Sequence, residues 1–454
     1  MKKEVKLDQF QKEAVEATGN VLLIAGAGAG KTFTITQKID YLIKNKICKA
    51  EEILIISFTN KSVDDLKKKI SYDCSILTFH KLAIQILNDY GITYNLVSDT
   101  HLDYITNEFF QSLSDAFLVQ EILKYFKEYD YNNFLNTYKY QEFKKILVTI
   151  LKIYKTNGCM IDDFKRIYPS NKFLSKFVYI IKTIYEKELK ASNSYDFDDL
   201  IIEATNVLNK FYRYKYIIVD EFQDTSTIRF NLVNKLRIIN NANIFVVGDD
   251  YQSIYHFSGC NINLFLDFPK LVPNSKVLKL KYTYRNSQEL IDIAAKFIMK
   301  NKKQITKDLI SNKHMEKPIE FVYYINPKKA FKKLYEKVKN INPDVLVLGR
   351  NNKDIYEFCS DIKDINYLTV HSSKGLEAEN VILINMIDRI YGFPNQIQNN
   401  KLLEELHPSD KEILFAEERR LFYVALTRTK NKVFIMVPLF GKSVFIKELK
   451  KMIK

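Results

Sequence analysis

The chain has no tryptophan, five cysteines and no long apolar run in its 454 residues. The cysteines (Cys48, Cys74, Cys159, Cys260 and Cys359) are scattered, with no two at ligand spacing. That spacing excludes a zinc knuckle or an iron–sulfur cluster and implies reduced thiols in an intracellular protein. No apolar stretch approaches the roughly 18 residues needed to cross a bilayer, so no membrane partner is expected. Met1 to Phe10 is charged and lacks an apolar centre, so no signal peptide is expected either. A soluble, cytoplasmic protein is the expectation. The missing tryptophan accompanies abundant Lys, Asn, Ile, Tyr and Phe, a bias that drift in genome composition also produces. Net charge is +15, an excess of cations that suits a polyanion such as nucleic acid. The length allows two to four domains.

The stretch from Val21 to Thr32 organises the rest. Four apolar residues (Val21 to Ile24) read as a buried strand. Ala25, Gly26, Ala27, Gly28, Ala29 and Gly30 form a tight turn, and Lys31-Thr32 opens a helical run to about Lys44. Such a turn aims backbone N–H groups and the positive end of a helix dipole at one point, which suits a phosphate. Lys31 would reach the β- and γ-phosphates and the Thr32 hydroxyl would ligate Mg²⁺. The bland alternative is a plain strand–turn–helix corner. The first glycine of the usual pattern is Ala25 here.

Strands alternating with helices follow, at Ile53–Phe58 and Ile76–Thr78, and argue for a parallel α/β sheet. Gln11, just upstream of the glycine turn, could read an adenine edge with one donor and one acceptor. From about Asn95 to Ser194 the pattern turns helical, and Gly158 is the one glycine. The aromatic residues there sit at helical spacing (Phe117, Phe126) and read as core rather than as a base-stacking array. The sheet resumes with Tyr216–Val219, ending in Asp220-Glu221. Asp220 would hold Mg²⁺ and Glu221 would polarise the attacking water. Another strand, Ile244–Val247, leads to Gln252, placed to sense a γ-phosphate. After about Leu271 a second α/β series is expected, with strands at Val277–Leu280, Ile319–Tyr323, Val345–Leu348, Tyr367–Val370, Val381–Ile384 and Val433–Val437. This half has no glycine loop, but it has Arg285 and Arg428 at element ends. Two sheets with one phosphate loop suggest a cleft in which the second half supplies arginine fingers.

Taken in order, these segments resemble the UvrD/Rep helicases of superfamily 1A over essentially the whole chain. The matching stretches are the glutamine motif ending at Gln11, the loop Ala25–Thr32 (the family also begins it with Ala) and Ser57–Lys61. They continue with Thr78-Phe79-His80, Val219–Thr225, Gly248–Gly259, Tyr284-Arg285, Thr369–Glu377, Gly392-Phe393-Pro394 and Glu418–Arg428. The resemblance implies an α/β fold of two RecA-like parallel-sheet domains, a P-loop NTPase with an α-helical insertion in the first. The expected divisions are domain 1A at 1–95 and 196–270, the helical insertion 1B at 96–195, and domain 2A at 271–454. The family's 2B insertion is absent near 353–366.

The implied activity is ATP-dependent movement, 3′→5′, on single-stranded or tailed duplex DNA. An alternative is a regulatory ATPase subunit beside a nuclease or other protein partner, as in compact defence systems. ATP and Mg²⁺ are the implied cofactors. The implied catalytic set is Lys31, Asp220, Glu221, Gln252, Arg285 and Arg428, of which Gln252, Arg285 and Arg428 contact the γ-phosphate. Gln11 would hold the adenine, Tyr284 would stack on it and Glu377 would touch the ribose. Phe58 and Phe257 would stack on DNA bases, with Asn60, Phe79, His80, Tyr255 and His371 also at the DNA. The chain departs from the family pattern at four places. Phe257 replaces a usual Trp, Tyr251 a third acid, His256 an Arg, and Phe33 an Arg that contacts adenine.

Overall fold

The computed structural model describes residues 6–158, 172–255, 258–360, 362, 364–396 and 415–453. Short apolar runs with little alternation are buried on both faces, which is the condition for parallel sheets covered by helices. Two such sheets form. The first contains β1 (Val21–Ala25), β2 (Ile53–Ser57), β3 (Ser75–Thr78), β6 (Tyr216–Val219), β7 (Asn243–Gly248) and β8 (Lys276–Leu280), in the order β3-β2-β6-β7-β1-β8. The second contains β9 (Ile319–Tyr324), β10 (Val345–Gly349), β11 (Tyr367–Thr369), β12 (Ala378–Leu383) and β13 (Thr429–Pro438), in the order β11-β10-β12-β13-β9. Every pairing in both sheets is parallel.

One strand sits where the sequence did not put it. Residues 276–280, expected to open the second series, join the first sheet as its edge beside β1, from Val21↔Lys276 to Ala25↔Leu280. A parallel strand reads alike in either sheet; register with β1 assigns it, and its exposed lysines mark an edge. The second sheet therefore starts at β9, and a boundary at 271 cuts the first sheet short.

The helical stretch has a core of its own. Phe110, Phe134, Tyr140, Phe143 and Phe177 pack together with Leu147 and Ile181. These rings are spent on burial, but Phe117, expected in the core, is 64% exposed, with Lys176 Nζ 4.5 Å from its ring. The stretch leaves and re-enters the first sheet's domain through a two-stranded parallel pair, β4 (Asn95–Leu96) and β5 (Ser194–Tyr195). Such a closure fixes both ends of the insertion without a linker. Among the described residues, no helix is long and apolar enough to cross a membrane.

Candidate active site

The glycine turn lies between the C-terminal end of β1 and the N-terminus of the helix Lys31–Lys44. Gly28 and Gly30 adopt φ +72° and +81°, a left-handed conformation that strains any residue with a Cβ. Space is short as well. A Cβ on Gly30 would lie 2.8 Å from Gln11 Nε2, and one on Gly28 2.5 Å from Arg285 Cβ. The turn is thus a cradle pressed between Gln11 on one side and Arg285 on the other. Gln11 is buried; its Oε1 accepts from the Asp8 N–H at 3.2 Å, and its Nε2 donates to the Ala29 carbonyl at 3.5 Å. Asp8 caps the helix Gln9–Glu16 and also accepts the Tyr284 hydroxyl at 2.6 Å, which brings Tyr284 over the same corner.

Opposite the cradle stand the acids at the tip of β6. Lys31 Nζ donates to Glu221 Oε2 at 3.0 Å. Gln223 Nε2 donates to the same oxygen at 2.6 Å, and Gln223 Oε1 accepts from the Asp249 N–H at 2.9 Å. Burial works against the charge on Glu221, but Lys31 and Lys374 outweigh it and hold the carboxyl below the usual carboxylate range. Asp220 is pushed the other way, by burial and then by the Glu221 charge beside it. Glu221 also holds φ +50°, a left-handed backbone in a non-glycine residue.

From the second sheet come Arg428 and Glu377, and Arg285 comes from the segment between β8 and the helix Gln288–Ile298. Arg428 is buried and its three guanidinium nitrogens are all engaged: Nε on the Val424 carbonyl at 3.1 Å, Nη1 on the Leu376 carbonyl at 3.2 Å, and Nη2 on Gln252 Oε1 at 3.1 Å. Burial, then the nearby charge of Arg285, lowers its pKa to about 9. Gln252 Nε2 in turn donates to Asp249 Oδ2 at 2.6 Å. A continuous polar chain therefore runs from Lys31 through Glu221, Gln223, Asp249 and Gln252 to Arg428. Arg285 lies beside it, but its Nε donates to Glu377 Oε2 at 2.7 Å. The two residues expected at opposite ends of a nucleotide are here joined to each other.

Away from this cleft, Phe58 and Tyr255 stack with ring centroids 5.9 Å apart and 10° between planes. The Arg229 guanidinium lies 4.9 Å from the Phe58 ring and Lys374 Nζ 5.0 Å from the Tyr255 ring. The Tyr255 hydroxyl donates to the His371 carbonyl at 3.4 Å, so the track crosses between the sheets. Asn60, first residue of the helix Asn60–Lys69, is exposed nearby in the chain. His80 packs edge-on against Phe197 at 5.3 Å. Burial, followed by the charge of Arg229, lowers the His80 pKa to about 4.

Phe79 is a correction. It is 3% exposed within the first sheet's core, among Leu82, Ile86 and Phe222, and cannot meet DNA. A motif position does not say which way its side chain points. Phe257 and its neighbour His256 lie outside the described residues.

Several participants were not anticipated. Lys374 joins Asp224 and also donates to the Gln252 carbonyl at 2.7 Å, bridging the sheets. Burial raises Asp224 to about 6 despite that partner. Gln223 was visible as the glutamine two residues past Glu221, but its bridging position needs the β7 tip alongside. Asp8 carried a helix-capping signal only.

Residues 7–273 match the UvrD/REP helicase N-terminal domain, and residues 352–438 match the UvrD-like helicase C-terminal domain. The chain is 27% identical over 477 residues to DNA helicase IV of Escherichia coli (strain K12), covering 97% of this chain and 69% of that protein. It is 29% identical over 474 residues to a probable DNA helicase of Mycoplasma pneumoniae, covering 95% and 83%. Against the ATP-dependent DNA helicase PcrA of Leuconostoc citreum the identity is 31% over 321 residues, covering 67% of this chain and 40% of that protein.

Proposed function

Since the chain belongs to the UvrD/REP helicase family and is an ATP-hydrolysing DNA helicase, we propose that it moves 3′→5′ on single-stranded DNA by closing the cleft between its two sheets on ATP. The observation that carries this reading is the polar chain from Lys31 to Arg428, which ties the phosphate cradle to the second sheet. The residues present fit the nucleotide: the left-handed glycines leave room for phosphates, and Lys31 rests on a carboxylate it can exchange for them. Bound Mg²⁺-ATP would supply the bond that is cleaved and the charge that closure neutralises.

Each residue then has a task. Gln11 and Tyr284 would flank the adenine. The cradle from Ala25 to Gly30 would present N–H groups to phosphate oxygens, and Lys31 would neutralise them. Thr32 and Asp220 would hold the metal. Glu221 would polarise the attacking water from the β6 tip, where its carboxylate stands beside Lys31. Arg428, Arg285 and Gln252 would stabilise charge on the transferred phosphoryl group; Arg285 must exchange Glu377 for it. Phe58 and Tyr255, with Asn60, His371 and Phe257, would carry the DNA, since stacking is blind to sequence. Closure at the arginines would shift that track, because Tyr255 and Lys374 touch both sheets.

Strand separation on 3′-tailed and 5′-tailed duplexes tests the polarity. Unwinding confined to 3′ tails is expected; unwinding confined to 5′ tails refutes it. DNA-stimulated hydrolysis with no strand separation on either would favour the regulatory-subunit reading instead.

A further inference from the structure

A strap of residues 300–311 joins the helix Gln288–Ile298 to β9 and crosses the tip of the first sheet on its way. Leu309 packs over the cradle, so close that a Cβ on Gly26 would lie 2.5 Å from its Cδ1. Two residues earlier, the Lys307 side chain is 3% exposed and its ammonium joins both Asp249 and Asp250, which are fully buried. The Ile305 N–H donates to Asp250 Oδ2 at 2.8 Å. Lys307 Nζ also lies 3.4 Å from the centroid of the Tyr251 ring. Here one cation serves two buried carboxylates and a ring.

Asp249 does more than balance that charge. Its Oδ1 accepts from the Tyr251 N–H at 3.1 Å, and its Oδ2 accepts from Gln252 Nε2 at 2.6 Å. An ionised carboxylate only accepts, so the side of the Gln252 amide facing it must be the NH₂. That choice leaves Oε1 facing Arg428 Nη2, at 3.1 Å. Without that cation, a carboxylate buried this deeply stands uncompensated and would shift away from the amide. The amide could then turn, setting NH₂ against the guanidinium.

We propose that Lys307 is a positioning residue for ATP hydrolysis. By holding the Asp249 carboxylate in place it fixes the Gln252 amide with its oxygen toward Arg428, and so places the second sheet's guanidinium at the γ-phosphate. The inference rests on the cleft reading above for the roles of Gln252 and Arg428. The bland alternative is a lysine that neutralises two acids and steadies the fold, with no bearing on the amide.

A kinetic cycle on the full chain separates the two. The rate is measured with saturating single-stranded DNA and varied Mg²⁺-ATP for the parent, Lys307→Met, Gln252→Ala, the Lys307→Met/Gln252→Ala double variant, and Arg428→Ala as reference. Lys307→Met should lower kcat about tenfold or more while KM stays within about threefold. In the Gln252→Ala background the same change should cost less than about twofold, because the group it acts through is gone. Parent kcat in Lys307→Met, or an equal loss in both backgrounds, overturns the proposal. Should Lys307→Met not fold, Lys307→Met/Asp250→Asn takes its place with the same outcomes, since it restores the local charge balance while still leaving Asp249 without its cation. If Arg428→Ala itself turns over at the parental rate, the cleft reading fails; if only Lys307→Met does, this inference alone fails.

Discussion

The cleft and the aromatic track hold their residues by different means. In the cleft, side chains such as Arg428, Gln252 and Asp249 are buried, and each polar group fixes the next through hydrogen bonds of 2.6–3.1 Å. In the track, Phe58 and Tyr255 are half-exposed and held by ring stacking and neighbouring cations. The cleft can therefore discriminate charge and geometry closely, and it fails when any link is cut. The track tolerates change, because any base offers a face and each ring contributes separately. A motor that must recognise one nucleotide and any DNA sequence needs both kinds of site.

Cutting the cleft should produce the largest effect. Lys31→Ala should lower ATP turnover by about 10³-fold or more, since it removes both the phosphate's cation and the partner of Glu221. Glu221→Gln should retain nucleotide without cleaving it, a separation that filter binding and phosphate release together would detect. Either variant turning over like the parent would contradict the assignment of this cleft.

Next comes a pair that sharpens the boundary of the track. Phe79→Ala should destabilise the fold by about 3–5 kcal/mol, the usual cost of emptying a buried phenylalanine site. Phe58→Ala should weaken DNA binding by about 1–3 kcal/mol, the range for one stacked base. Denaturant melts and DNA titrations of both variants should show opposite selectivity. A stability loss confined to Phe58→Ala would invert the distinction drawn between these neighbours.

The smallest effect concerns pH. His80 and His371 are both lowered in the fold, to about 4 and about 3, first by burial and then by facing cations: Arg229 for His80, Arg350 and Lys374 for His371. Unfolded histidine binds a proton near pH 6.5 while these folded ones do not. Stability from both is present above pH 6.5 and is lost as pH falls toward 4. Thermal melts across that window should slope downward with acid, and His80→Asn should flatten part of the slope. An unchanged slope would mean that His80 is open to water.

What could be read from the chain beforehand was local. The glycine cradle, Lys31-Thr32 and Asp220-Glu221 are contiguous segments whose chemistry follows from neighbours in sequence. Links between segments were hidden. Lys307 is one of 69 lysines and arginines, and nothing near it marks it as the partner of Asp249. The strand 276–280 has no sequence feature that prefers one sheet over the other. Phe79 follows a strand whose burial alternates and then begins a helix, and that change of period decides which way its ring points.

We infer that the second sheet completes the chemistry begun at the first sheet's cradle. Single-turnover cleavage of prebound ATP by Arg428→Ala, at saturating single-stranded DNA, tests it most directly. Nucleotide should still bind, and the cleavage rate should fall by about 10²-fold or more. Cleavage within about threefold of the parental rate would contradict it, and would place all of the chemistry on the first sheet.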